Sequence, residues 1–153
     1  MVVLLALPIG IVAGLRAMTA PAAVGWAAHL GWLPLTENWL SWLGHVWTPW
    51  ILTALALGEL VTDQLPSTPS RTVPVQFGTR IVMGAFCGAA LGAAGGAMLP
   101  GVLAGAVGAV AGTLGGRAAR ARLAASLGSD RPAALIEDAV AILGAFLIVR
   151  MIP

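Results

Sequence analysis

Apolar residues fill this chain in long blocks, 2–30, 48–65, 80–98, 101–116 and 133–152, separated by short polar or proline-bearing stretches. A hydrocarbon core about 30 Å thick is crossed by roughly 20 helical residues, and lipid offers no partner to unpaired backbone, so each block predicts a membrane-crossing helix. The first block is longer than a crossing needs and holds Pro8 and Pro21, which predicts a kink or a break between Arg16 and Pro21. A broken helix builds binding sites in transporters; a plain kink is the blander alternative.

Between the first two blocks, Trp39, Trp42, Leu43, Val46, Trp47 and Trp50 recur at helical spacing behind Thr36, a residue type that caps helices. All six tryptophans lie between Trp26 and Trp50. Indole favours the headgroup layer, so 36–47 predicts an interfacial helix anchoring one side of the bundle, with a Trp-lined ligand site as the alternative. His29 and His45 fall at the same level. The stretch 66–78, with Pro66, Pro69 and Pro74, predicts an extended surface loop.

Glycine adds a second pattern. Gly84, Gly88, Gly92 and Gly96, then Gly101 and Gly105, then Gly108, Gly112 and Gly116 recur every fourth residue, which lays a side-chain-free stripe along one helix face. Such stripes bring helix backbones together where lipid supplies no hydrophobic driving force. The short Leu99–Pro100 junction predicts an antiparallel hairpin of these two helices. The stripes serve packing within one chain, a homodimer seam, or the thin wall of a pore; Gly10 and Gly14 repeat the spacing once.

Composition agrees with the pattern: 59% of residues are hydrophobic and 9% charged, too few to solvate a globular surface. The expectation is all-α, a single polytopic transmembrane bundle spanning 1–153 with about five crossings and the Gly-rich hairpin at its centre. A net charge of +2 comes with eight basic residues, all arginine, mostly at block ends. That is a topology signal rather than a nucleic-acid footprint. Arg71 and Arg80 flank one loop and Arg117, Arg120, Arg122 and Arg131 fill another, which places the N-terminus and both loops in the cytoplasm; Arg150 stands on the far side near Glu37. No basic residue precedes the first apolar run, so that run is expected to stay as a helix rather than be cleaved. Cys87, the single cysteine, is a packing residue.

Ionisable residues inside apolar helices carry the candidate chemistry: Arg16, Glu59, Asp63, Glu137 and Asp138. A charge in mid-bilayer costs a few kcal/mol, so these groups are expected to face one another or water. In the structural reading each carboxylate finds a guanidinium from Arg80, Arg117 or Arg131 and staples helix ends. In the functional reading Glu59 and Glu137 form a proton- or cation-binding pair, with Arg16 as gate, counter-ion or anion contact. Val12-Ala13-Gly14 recurs as Val110-Ala111-Gly112, each followed by an acidic helix, a faint trace of an inverted repeat. Sequence motifs for hydrolase, zinc-protease or prenyl-transferase chemistry are missing, and the expectation is no enzyme, no cofactor and no metal.

Ala13-Gly14-Leu15-Arg16-Ala17-Met18-Thr19-Ala20-Pro21, Gly58-Glu59-Leu60-Val61-Thr62-Asp63-Gln64-Leu65-Pro66 and Leu135-Ile136-Glu137-Asp138-Ala139 resemble the bacterial membrane family catalogued as domain of unknown function 4126. The resemblance spans nearly the whole chain and implies a multi-pass protein of the bacterial cytoplasmic membrane; it brings no activity and no catalytic residues. The leading expectation is a small-solute or ion transporter or channel using intramembrane carboxylates. The alternative is a non-catalytic scaffold or lipid-binding module, with Arg117, Arg120 and Arg122 facing anionic lipid and membrane lipids or a second copy of the chain as partners.

Overall fold

The computed structural model describes residues 2–35, 39–64 and 72–153, and those residues are helical with short connections. A 3-10 turn at Val2–Leu5 leads into α1 (Ala6–Leu15), followed by α2 (Thr19–His29), α3 (Thr48–Thr62), α4 (Pro74–Ala94), α5 (Met98–Leu127) and α6 (Asp130–Arg150). Every one of these α-helices carries a proline in its first turn: Pro8, Pro21, Pro49, Pro74, Pro100 and Pro132. There the missing N–H would have had no intrahelical acceptor, and the fixed φ suits the start of a helix.

Pro21 also explains why the first apolar block is two helices. In a continuous helix its ring would strike the carbonyl four residues back, at Ala17. The chain instead turns extended at Arg16, with φ −140° and ψ 113°, and restarts at Thr19. The block is broken, not merely kinked.

α1, α4 and α5 form the tightest part of the bundle. α4 and α5 run antiparallel, with Gly84, Gly88 and Gly92 set against the backbone at Gly105, Gly101 and Ala97. α1 runs parallel to α5, with Gly10 and Gly14 on Gly105 and Ala109, and Gly108 and Gly112 on the backbone of Leu7 and Ile11. A Cβ on Gly88, Gly101, Gly105, Gly108 or Gly112 would overlap a carbonyl oxygen of the facing helix. Gly116 is buried on the same helix. Gly96 does not extend the stripe: it has φ +72° and makes the turn between α4 and α5, in open space. The hairpin therefore turns at 95–97, and Leu99 and Pro100 belong to the first turn of α5.

Two further boundaries differ from expectation. α4 starts at Pro74, inside the stretch expected to be loop, which carries Arg80 nearly two turns into the helix. α5 continues to Leu127, so Arg117, Arg120 and Arg122 lie on a helix, and the turn falls at Gly128 with φ +70°. Among the described residues of the tryptophan segment, Trp39–Gly44 form a 3-10 helix. Thr36, Glu37 and Arg71 lie outside the described residues.

α6 packs on α1, α2 and α5, and α3 leans chiefly on α2. The apolar core joins α1, α2, α4 and α6 through Ile9, Val12, Val24, Leu91, Ala141 and Ala145, and Leu40 and Leu43 close it beneath the tryptophans. Trp26 meets Trp50 edge-on at 5.0 Å, Trp42 stacks on Phe86 at 5.9 Å, and the Arg150 guanidinium sits 4.9 Å over the Trp32 ring.

Much of the outer surface is apolar. α6 exposes Leu135, Val140, Leu143 and Leu147, and α3 exposes Ile51, Leu55, Leu57 and Val61. Contiguous surface of this kind is unsustainable in water and natural in lipid. Pro74–Ala94, Met98–Leu127 and Asp130–Arg150 are each long and apolar enough to cross a membrane. α3, at 15 residues, spans about 22 Å, short of a full hydrocarbon core.

Candidate functional site

The break in the first helix leaves two sets of unpaired backbone groups inside the bundle: carbonyls at the end of α1 and N–H groups at the start of α2. Both are met by ionised side chains from other helices. The Glu59 carboxylate, from α3, accepts from Ala17 N–H and Met18 N–H, each at 2.8 Å, one oxygen apiece. The Arg80 guanidinium, from α4, donates to the carbonyls of Gly14 at 3.1 Å and Leu15 at 2.6 Å. Thr113 on α5 donates to Ala109 O at 2.8 Å and lies 3.2 Å from Gly14 O. Acid at the positive helix end and base at the negative end also match the half-helix dipoles.

Arg16 stands at the break with its side chain fully buried. Its guanidinium binds Asp63 at the C-terminal end of α3, contacts Asp138 of α6 through Nε at 2.6 Å and Nη2 at 2.5 Å, and lies 3.8 Å from Glu137. Gln64 donates to the other Asp138 oxygen at 3.1 Å. Arg80 Nη2 lies 3.6 Å from Asp63 and 3.7 Å from Glu59. On the outer side Arg120 grips Asp130 with both Nε and Nη2, at 2.9 and 2.6 Å, and reaches within 3.5 Å of Glu137. That grip and a half-buried side chain set Arg120 apart from Arg117 and Arg122, which are exposed.

All five ionisable residues singled out from sequence, Arg16, Glu59, Asp63, Glu137 and Asp138, thus belong to one network. Their pairing differs from the expected one. Glu59 and Glu137 engage different partners, whereas Asp63 and Asp138 share Arg16. Arg80, expected at a helix end, is an inner member with a side chain only 2% exposed. Among the described residues neither Arg117 nor Arg131 pairs with these carboxylates; Arg117 contacts Thr72 at 3.4 Å. The backbone at 14–18 and Thr113 are members that composition alone does not flag.

Among the described residues the carboxylates of Glu59, Asp63, Glu137 and Asp138 gather on the guanidinia of Arg16, Arg80 and Arg120. Guanidinia are interleaved with the carboxylates, and among the described residues no three acidic, histidine or cysteine side chains converge in a metal-binding arrangement. Glu59 and Asp63 keep 13% and 14% of their side-chain surface open, so the network touches the exterior on the α3 side.

Because Glu59 closes α2 with both oxygens, its amide analogue is a poor mimic. Glu59→Gln removes one acceptor and turns an NH2 group toward a backbone N–H. The expected cost is about 1–3 kcal/mol, read as a lower melting temperature in detergent, and Glu59→Ala should cost more. A Glu59→Gln protein melting at the wild-type temperature would remove the capping role.

An apolar cavity of about 390 Å³ adjoins the network, between α2, α3 and α6. Thr19, Leu60 and Ile142 mark its end nearest Arg16, and Leu30, Trp32 and Val149 its far end.

No curated protein and no solved structure matches the sequence. The family model described as domain of unknown function (DUF4126) matches residues 3–151, and the chain belongs to that family.

Proposed function

We propose that the protein is a small-solute or ion transporter of a membrane, working through the network at the broken first helix and coupled to a proton or a monovalent cation. The carrying observation is the gathering of Asp63, Glu137 and Asp138 on a fully buried Arg16 at the break, with Asp63 partly open. Carboxylates held together inside an apolar bundle are groups that bind and release a proton or a cation, and the interleaved guanidinia favour a proton or a singly charged ion over a multidentate metal. A discontinuous helix whose ends are held by side chains from neighbouring helices is also the construction by which transporters place sites in mid-membrane. In this reading α1–α2 and α3 join the three long helices as crossings, the N-terminus faces the cytoplasm, and the membrane is the bacterial inner one. Asp63 serves as exchanging carboxylate, since it touches both Arg16 and Arg80 and is partly open.

Liposomes holding a pH-sensitive dye, polarised with potassium and valinomycin, test this directly. Wild type is expected to carry protons, or sodium when a sodium-sensitive dye replaces the first, well above protein-free vesicles, and Asp63→Asn is expected to lose most of that flux. Equal leak in wild type, Asp63→Asn and empty vesicles would contradict the proposal.

The scaffold reading draws on one observation of its own: α5 carries exposed Arg117 and Arg122 on its last turns, where they can meet anionic headgroups.

A further inference from the structure

The cavity between α2, α3 and α6 has a chemistry distinct from that of the charged network beside it. Its lining is apolar apart from Thr19, Thr53 and the indole N–H groups of Trp26 and Trp32. Two of these are satisfied by each other and by backbone: Trp26 Nε1 donates to Thr53 Oγ1 at 3.0 Å, and Thr53 Oγ1 donates to Pro49 O at 2.7 Å. The Thr19 hydroxyl is different. Thr19 is 8% exposed, and its Oγ1 is buried with no hydrogen-bond partner among the described residues. Buried hydroxyls are normally paired, so an unpaired one lining a cavity marks a place for a ligand atom.

The shape is a cleft. Its floor is α2, about 16 Å long from Thr19 to Leu30 at 1.5 Å per residue. Its walls are α3 and α6, tied together at the Thr19 end because Asp63 and Asp138 hold the same guanidinium. At its mouth Leu57 and Phe146 are 58% and 55% exposed, continuous with the apolar outer faces of both helices, so entry is from the hydrocarbon side. The volume lies within the range of small-molecule sites that combine apolar walls with a few polar groups.

We propose that this cleft binds an uncharged single-chain amphiphile, its chain lying along α2 and its terminal oxygen hydrogen-bonded to Thr19 Oγ1, which is enclosed by its neighbours and turns about χ1 to meet it. Charge on the ligand is disfavoured, because no ionised side chain lines the cleft and the nearest guanidinium, Arg16, is buried and held by carboxylates. The proposal stands apart from the transport reading, since it uses neither Asp63 exchange nor an open pathway.

The probes are a medium-chain ω-bromoalcohol, the bromoalkane of equal length and the ω-bromo fatty acid. The readout is quenching of tryptophan fluorescence in the purified full chain in detergent, because Trp26 and Trp32 border the cleft. The bromoalcohol is expected to give a saturable component, tighter than that of either other probe. Thr19→Val, which keeps the side-chain shape, should weaken the alcohol by roughly five- to tenfold and leave the alkane unchanged. Ala23→Phe, which fills the floor, should remove the saturable component while the linear quenching from micelle partition remains. Linear quenching alone in wild type would overturn the proposal, as would tighter binding of the fatty acid or unchanged alcohol binding in Thr19→Val. The Thr19→Val arm decides the matter even if Ala23→Phe fails to fold.

Discussion

Replacing Arg16 by methionine is expected to prevent accumulation of folded protein. Arg16 is fully buried and is the shared partner of Asp63 and Asp138, with Glu137 at 3.8 Å. Removing it leaves those carboxylates packed together without their central counter-charge, and breaking one buried pair alone costs about 3–5 kcal/mol. A typical domain has only about 5–15 kcal/mol in total. The expected observation is loss of the monodisperse peak in detergent chromatography, or a melting temperature far below wild type. The reason is the stranded acids rather than the missing packing, so Arg16→Met combined with Asp63→Asn and Asp138→Asn should recover much of the loss. Arg16→Lys should fall between, since an ammonium keeps the charge but cannot present the planar fork that reaches carboxylates on two helices. A near-normal melt for Arg16→Met would mean that the acids find other compensation.

The second large effect is expected at Gly105. A Cβ there would overlap the carbonyl oxygen of Gly84 and lie 3.0 Å from the Gly88 Cα, while Gly10 of α1 faces Gly105 from the other helix. Gly105→Val has no flexible neighbour to displace, because the obstacles are backbone atoms. The helices must separate, with an expected loss of about 3 kcal/mol or more, the upper end for overpacking. Gly115→Ala is the matched control: nothing lies within 4 Å of a Cβ there, and alanine favours the helix, so melting should be unchanged or slightly higher. Equal melting of the two variants would show that the close approach at Gly105 is not what holds α1, α4 and α5 together.

These two sites also mark what the sequence discloses. The glycine spacing pointed to close helix contact, yet a stripe has no partner written into it. That α1 joins the pair, parallel to α5, follows from Gly10 and Gly14 meeting Gly105 and Ala109, contacts that one isolated pair of glycines in the first block could not announce. Likewise, charges in apolar helices had to converge, and all five did. Who pairs with whom depended on the break at Arg16, which swings the guanidinium toward α3 and α6 and leaves backbone groups for Glu59 and Arg80 to fill. The prolines held more information than was drawn from them. Treated as kinks, loop markers and a junction, they put α4 and α5 at the wrong starts and left Arg80 at a membrane edge. Treated as first-turn residues, Pro74 and Pro100 set both starts and carry Arg80 inward. At the Arg-bearing end of α5 hydropathy falls after Gly116 and reads as loop, yet alanine and arginine are both good helix formers and the helix continues.

The central claim is that the carboxylates gathered on Arg16 bind an exchangeable proton or monovalent cation. Purified wild type and Asp63→Asn should be melted in detergent across pH and across sodium, potassium and lithium, with a bulky organic cation holding ionic strength constant. A species that binds only the folded state raises stability with its concentration. The predicted result is a melting temperature that climbs with protons or with one of the alkali cations in wild type and flattens in Asp63→Asn. Curves that are flat in both proteins, or that climb equally in both, would contradict the claim and leave the network as a staple for a broken helix.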